Sequence, residues 1–365
     1  MKIGKLTLDG YFNYGNVLQN YALRQVLLRY ADVVDSFWHE QDNFIVNTWY
    51  SWSWKKPLKW IINYRGFREE IKWVMYECVR QGRIKEWCDK YIGVKRVENL
   101  LEVADNYDFF VVGSDQVWNP YLSNLQHCFL TFASKEKRIA YAASISCVDI
   151  PQKDLPLFAD GVMNMAHISM REQHGADMIR KISGREVPVL VDPTMLLTTD
   201  EWHKVSYQPN WYHGEDYILT YFLGERPKFL NKLADEIGLK VINILDRENY
   251  EHYVISPSEF LWAIEHAKLM YTDSFHGTVF SILFRTPFVV CNRVGDDVSE
   301  KMGSRIDTLL GYFCLGERRG TKDNGYAINN PLASPDWSQV DVVLARERVR
   351  ADEYLRQALN LSREH

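Results

Sequence analysis

Basic charge is in short supply. The 43 lysines and arginines are outnumbered by 48 aspartates and glutamates, a formal net charge of -5. That balance removes the electrostatic case for nucleic acid, which is normally met by a basic domain. Long hydrophobic runs are missing too, and none approaches the roughly 18–20 residues of a membrane-crossing helix. The opening MKIGKLTLDG has two lysines but neither an apolar core after them nor a cleavage-like site, so no signal peptide is expected. Cysteine is sparse and scattered (Cys78, Cys88, Cys128, Cys147, Cys291, Cys314), with no C-x-x-C pair and no histidine at zinc spacing. The six read as packing residues of a reduced cytoplasmic protein without a metal centre. Neither G-x-G-x-x-G nor a Walker motif occurs, which disfavours a nicotinamide or ATP enzyme.

What is present is an alternation of strand and helix patterns. KIGKLTL reads as a strand, DGYFNYGN as a loop, VLQNYALRQVLLRY as a helix and ADVVDSF as a second strand. This βαβ opening predicts a parallel sheet. The pattern resumes with YDFFVVGSD, KRIAYAASIS, HISMR and VPVLVDP as strands, separated by two helices. A second series follows from Tyr217, in which Ser256-Pro257-Ser258-Glu259 carries capping-box spacing at a helix start. The expected class is α/β, with an N-terminal Rossmann-like domain over 1–195, a linker over 196–215 and a C-terminal Rossmann-like domain over 216–335. A C-terminal helix over 336–365 packs back on the first domain. Ligands of such sheets gather beyond the carboxyl ends of the strands, which singles out DGYFNYGN, GSDQVWNP, SMREQ and TDSFHGT.

An insertion at about 40–100 breaks the alternation. Residues 48–96 hold six of the twelve tryptophans (Trp49, Trp52, Trp54, Trp60, Trp73, Trp87) and twelve Lys/Arg against five Asp/Glu. Basic charge with tryptophan suits a surface resting on a bilayer or reaching a lipid-linked substrate. A helical lid whose aromatics pack inward has the same composition.

The four loops offer specific chemistry. If the helix after TDSFHGT begins near Gly277, free backbone N–H groups of Gly277, Thr278 and Val279 form an anion site, and His276 can donate to phosphate or transfer a proton. Asp273 and Ser274 read as caps. Arg171, at the end of HISMR, suits carboxylate or phosphate, unless Glu172 or a neighbouring helix holds it. Asp115, two residues after Gly113 and next to Ser114, can orient a sugar hydroxyl or act as a base. Asn13, Gly15 and Asn16 read as a turn that touches ligand, and Arg305 as a further cation for the same pocket.

Taken together, YFNYGNVLQNYAL, FFVVGSDQVWNP, ISMRE, VLVDPTMLL and TDSFHGTVFSILFRTPFVV resemble, in order and spacing, the polysaccharide pyruvyl transferase family, from about residue 3 to about residue 310. The resemblance implies a GT-B-like pair of Rossmann-like domains with the active site between them. It further implies phosphoenolpyruvate as co-substrate, no other cofactor, and a cyclic pyruvate ketal on two hydroxyls of one sugar. By motif, Arg171 matches the family's donor-binding arginine. His276 matches the histidine that serves as acid/base or phosphate ligand, with Asp115 as the second catalytic candidate. Ser274, Gly277, Thr278 and Arg305 then fall on the donor side. Asn13, Gly15, Asn16, Gly113 and Ser114 fall on the acceptor side. Several members carry arginine where this chain has Ser274. The expected substrate is a galactose-type unit of a growing surface polysaccharide on a polyprenyl-diphosphate carrier, met at the inner face of the membrane through residues 48–96. A nucleotide-sugar glycosyltransferase of GT-B form, and a binding protein that has lost the chemistry, are the competing readings.

Overall fold

The computed structural model describes residues 1–39, 64–293, 303–321 and 327–361. Strands β1 (Lys2–Leu6), β2 (Val33–His39), β3 (Lys95–Val97), β4 (Phe109–Val112), β5 (Arg138–Ala143) and β6 (His167–Met170) form one parallel sheet, in the order β3-β2-β1-β4-β5-β6. Strands β7 (Tyr217–Tyr221), β8 (Lys240–Ile244), β9 (Leu269–Thr272), β10 (Phe288–Cys291) and β11 (Arg319–Gly320) form a second, in the order β11-β10-β9-β7-β8. Both are doubly wound orders. The strand sequence reverses between β1 and β4 in the first sheet and between β7 and β9 in the second, and a crevice opens at each reversal. The two Rossmann-like sheets expected from the sequence are therefore both present.

The segment VPVLVDP departs from expectation. It makes one bridge, Met170 to Val189, and then turns into a short 3-10 helix at Pro193–Leu196 capped by Asp192. Pro188 and Pro193 bracket it and supply no N–H, so a full ladder cannot form. Within the stretch expected as a linker, Thr198 closes a capping box on a short helix, Thr199–His203.

Helix α1 (Tyr14–Leu27) follows β1 and is buried along most of its length. Tyr14 stacks on Phe260 at 4.8 Å and donates to the carbonyl of Ile255, both in the second half. Trp202 meets Phe280 edge-on at 5.0 Å and donates from Nε1 to the carbonyl of Thr194. One apolar core thus continues from the first sheet into the second.

Helix α2 (Tyr64–Tyr91) carries the described part of the insertion. Trp73 donates to the Tyr253 hydroxyl and Trp87 to the Ser258 hydroxyl, while Arg83 pairs with Glu259. Arg80 forms a buried pair with Glu77 and donates to the carbonyl of Phe12. These two tryptophans pack inward. Trp49, Trp52, Trp54 and Trp60 lie outside the described residues.

The remaining long helices are α3 (Leu155–Met163), α4 (Gln173–Ser183), α5 (Phe229–Ile237), α6 (Pro257–Glu265), α7 (Phe275–Phe284), α8 (Ser304–Tyr312) and α9 (Trp337–Ala358). Ser256 and Glu259 close the capping box at the start of α6, as the spacing predicts. Helix α9 lies on the first half: Tyr354 donates to the carbonyl of Ala140, and Arg348 to those of Met195 and Leu197.

Candidate active site

Four chain segments meet where the carboxyl ends of the two sheets face each other. Strand β4 ends in Gly113, whose φ of +125° is open to glycine and strained for other residues. A side chain there would also overlap the carbonyl oxygen of Tyr141. Asp115 follows at φ +64°, a left-handed conformation that aspartate tolerates better than most non-glycine residues. Its carboxylate accepts from Arg171 Nη2 at 3.2 Å.

Arg171 leaves the end of β6 and is fully enclosed. Its Nη1 donates to Asp192 Oδ2 at 2.8 Å, so two carboxylates from separate loops hold one guanidinium. Burial disfavours the arginine's charge, but Asp115 and Asp192 outweigh it and raise the pKa. The ring of Phe275 lies against the guanidinium at 4.4 Å. Glu172, weighed at the sequence level as Arg171's partner, instead accepts from the Ile145 N–H and the Ser144 hydroxyl.

Asp192 is the hub of the site, and sequence reasoning did not single it out. Oδ2 meets Arg171, the Ser114 hydroxyl at 3.3 Å and the His276 ring, whose Nε2 is 3.4 Å away. Oδ1 accepts from the N–H and hydroxyl of Thr194. Burial alone would push this carboxyl up. The neighbouring His276 and Arg171 overcome that and hold it well below the usual carboxylate range. The only sequence signal was an aspartate ahead of a proline in VLVDPTMLL, which reads equally well as a turn.

His276 comes from the second half. Beyond its 3.4 Å approach to Asp192, its Nε2 has no hydrogen-bond partner among the described residues, and its other edge rests on Gly15, where any side chain would overlap the imidazole. Gly15 is thus the residue that admits the histidine. Asn13 caps α1 by accepting from the N–H groups of Gly15 and Asn16. Asn16 donates to the carbonyl of Leu8.

The helix start at His276 needs correcting. Helix α7 begins at Phe275 with Ser274 as its cap, two residues earlier than expected. The Gly277 N–H is taken by the Ser274 hydroxyl, and the Thr278 N–H and hydroxyl by the Ser274 carbonyl. Neither Gly277 nor Thr278 has a donor left for an anion. Gly277 is small because Thr272 and Met270 crowd it, at 2.9 and 3.1 Å from the position a Cβ would take. Ser274 is engaged in both caps. Asp273 accepts from the N–H groups of Leu223 and Gly224 and so fixes the loop after β7.

Arg305, on the first turn of α8, also reaches the ring of Phe275, 5.8 Å from its centroid. It is only 7% exposed, and no carboxylate pairs with it among the described residues. Burial, and then the charge of Arg171, push its pKa down to about 10. A buried cation without a counterion is costly unless an anion joins it.

Gly113 and Ser114, expected on the acceptor side, are tied into the surrounding framework. The Ser114 hydroxyl donates to the carbonyl of Ala142, and its N–H donates to Gln19 Oε1 at 2.8 Å. Gln19 in turn donates to Thr7 and Asn16. This network from α1 is invisible without the fold.

The arrangement brings together a guanidinium held in place, a second guanidinium with no carboxylate paired to it among the described residues, an imidazole facing a buried carboxylate, and a second carboxylate at the cleft edge. Among solved structures, the chain is similar to UDP-GlcNAc 2-epimerase from Neisseria meningitidis (9% identity, 95% of this chain and 100% of that one, TM-score 0.42). It is also similar to Alr3699/HepE from Anabaena (10%, 99% and 100%, TM-score 0.45) and to MurG from Acinetobacter baumannii (10%, 96% and 94%, TM-score 0.38). No curated protein sequence matches significantly. The family model described as polysaccharide pyruvyl transferase matches residues 13–293, which span Asn13, Asp115, Arg171, Asp192 and His276. The chain belongs to the polysaccharide pyruvyl transferase family.

Proposed function

We propose that the protein moves pyruvate from phosphoenolpyruvate onto two hydroxyls of one galactose-type sugar, as a cyclic ketal, during surface polysaccharide synthesis. The observation that carries this reading is that Arg171 and Arg305, one from each half of the molecule, both lie against the ring of Phe275, at 4.4 and 5.8 Å. A donor with a phosphate and a carboxylate needs two cations held apart, and Arg305 is buried as though an anion completes it.

In this scheme His276 gives a proton to the methylene carbon of phosphoenolpyruvate, which becomes the methyl group of the ketal. Asp192 stabilises the imidazolium beforehand. The first sugar hydroxyl attacks the cationic carbon and loses its proton toward Asp115. Phosphate then leaves with the electrons of its C–O bond, and the second hydroxyl closes the ring, its proton passing to phosphate. A positioned acid contributes about 10²–10⁴-fold, and fixed cations in an enclosed cleft stabilise the charge that develops on the leaving group.

Calorimetric titration tests the donor. Phosphoenolpyruvate is expected to bind the wild type saturably and at least tenfold more weakly to Arg171→Ala and Arg305→Met, the loss of one charged hydrogen bond. Binding of UDP-sugars, with none of phosphoenolpyruvate, would assign the site to a nucleotide-sugar glycosyltransferase.

The acceptor is proposed to be lipid-linked and met at the cytoplasmic face of a membrane. No helix among the described residues is long and apolar enough to cross one. Support comes from α2, where Ile71, Met75 and Val79 are exposed at successive i, i+4 positions. They follow a stretch, 48–68, with five Lys/Arg, four tryptophans and no acidic residue. The full chain should float with vesicles containing anionic phospholipid and not with neutral ones. Equal recovery with both, or with neither, removes the membrane from the proposal.

A further inference from the structure

A cavity of about 410 Å³, the volume of a small-ligand pocket, opens at the carboxyl ends of β1 and β4 with Asp115 in its wall. Four carboxamides share that wall, Asn13, Asn16, Gln116 and Asn124. An amide can both donate and accept, but the protein has already taken the accepting end of each. Asn13 Oδ1 accepts from the N–H groups of Gly15 and Asn16, at 2.8 and 3.3 Å. Asn124 Oδ1 accepts from the His127 N–H at 3.4 Å. Asn119 fixes the orientation of Gln116. The Asn119 oxygen accepts from the Tyr121 N–H, so its amino group is the one that reaches Gln116, which must present Oε1. Asn16 is engaged at both ends, by Leu8 and Gln19.

Three amino groups are left without a partner among the described residues: Asn13 Nδ2, Gln116 Nε2 and, at the exposed rim, Asn124 Nδ2. The open amide groups of the wall are therefore donors. A sugar hydroxyl set against them still has its own proton to place. A carbonyl oxygen has two lone pairs and no proton, and two amino groups satisfy it. Leu6, Phe37 and Leu100 are buried apolar members of the same wall. A methyl group beside the carbonyl has a place there, whereas the second oxygen of a carboxylate does not.

From this pattern, we infer that the galactose-type acceptor carries an acetamido group, its carbonyl oxygen held by the amino groups of Asn13 and Gln116 and its methyl group on the apolar wall. The inference rests on the pyruvyl transfer reading and deepens it by naming the acceptor class. The acetamido group is a handle and does not react. Gln116 follows Asp115 in the chain and lines the same cavity, so gripping the handle sets the sugar's hydroxyls against Asp115.

Ligand-observed NMR on the full chain tests this with three probes: methyl β-galactoside, its 2-acetamido-2-deoxy analogue, and methyl β-galacturonoside. The acetamido probe is expected to bind at least about tenfold more tightly than either of the others, the effect of two hydrogen bonds and a buried methyl group. Asn13→Asp and Gln116→Glu remove the two amino groups and keep the protein's own bonds. A carboxylate oxygen accepts where the amide oxygen did, and aspartate caps a helix as well as asparagine. In the double variant the preference should fall to threefold or less; should that variant not fold, the wild-type ranking decides alone. Equal binding of galactoside and acetamido probe, tightest binding of the galacturonoside, a preference that survives both substitutions, or no binding by any probe would each overturn the inference. Phosphoenolpyruvate titration of the wild type separates the two levels: if it binds while the sugars behave otherwise, the inference fails and the transferase reading stands. If phosphoenolpyruvate does not bind, the transferase reading has failed.

Discussion

His276→Ala is expected to lower kcat by at least about 100-fold, the lower end of what a positioned general acid supplies. The imidazole has a single open nitrogen, Nε2, 3.4 Å from a carboxylate that balances its positive form, and Gly15 closes the other edge. Asp192 links it to Arg171. Two measurements separate its possible roles. As a proton donor, its loss lowers kcat while the affinity for phosphoenolpyruvate changes less than threefold. As a phosphate ligand, its loss weakens binding in step with turnover. A variant that releases phosphate within threefold of the wild-type rate would remove His276 from the chemistry.

Asp192→Asn should be the most damaging single change to stability at the site. The carboxylate holds Arg171, faces His276 and caps the 3-10 turn at Pro193–Leu196. Neutralising one member of a buried ion pair typically costs about 3–5 kcal/mol, because the remaining charge stays in the interior. The loss is also pH-dependent, and its sign is fixed. The folded-state pKa lies far below that of an unfolded aspartate, so the ionised group's contribution is complete above about pH 4 and is lost as the pH falls through the folded value. The stability difference between wild type and variant should therefore be largest at pH 7. At pH 3 it should be about 1 kcal/mol smaller, since an unfolded aspartate is already mostly protonated there. Urea unfolding at the two pH values measures this. An equal difference at both would mean that the charge of Asp192 contributes nothing beyond its shape.

The strand and helix alternation was legible because apolar runs and caps are local signals, and it foretold both sheets. Arg171, Asp115 and His276 stood out as chemistry-bearing residues at strand ends, where sheet topology collects ligands. Asp192 and Gln19 did not, since their partners are distant in the chain and an Asp-Pro or a helical glutamine has ordinary local explanations. Ser274 illustrates the opposite failure. It was recognised as a capping residue, yet the helix was started beyond it, and two backbone donors were assigned to a ligand that the cap itself already occupies. The aromatic insertion mixed two signals in one composition: Trp73 and Trp87 face the second half, while Ile71, Met75 and Val79 face outward.

The shared apolar core has a consequence for how such a chain can be inherited or re-engineered. Tyr14 and Trp202 are seated against Phe260 and Phe280, so neither half presents a finished surface on its own. A graft that exchanged the second half for another would leave these aromatics facing the wrong shapes. New specificity is more readily gained by changing the loops at the strand ends than by swapping halves.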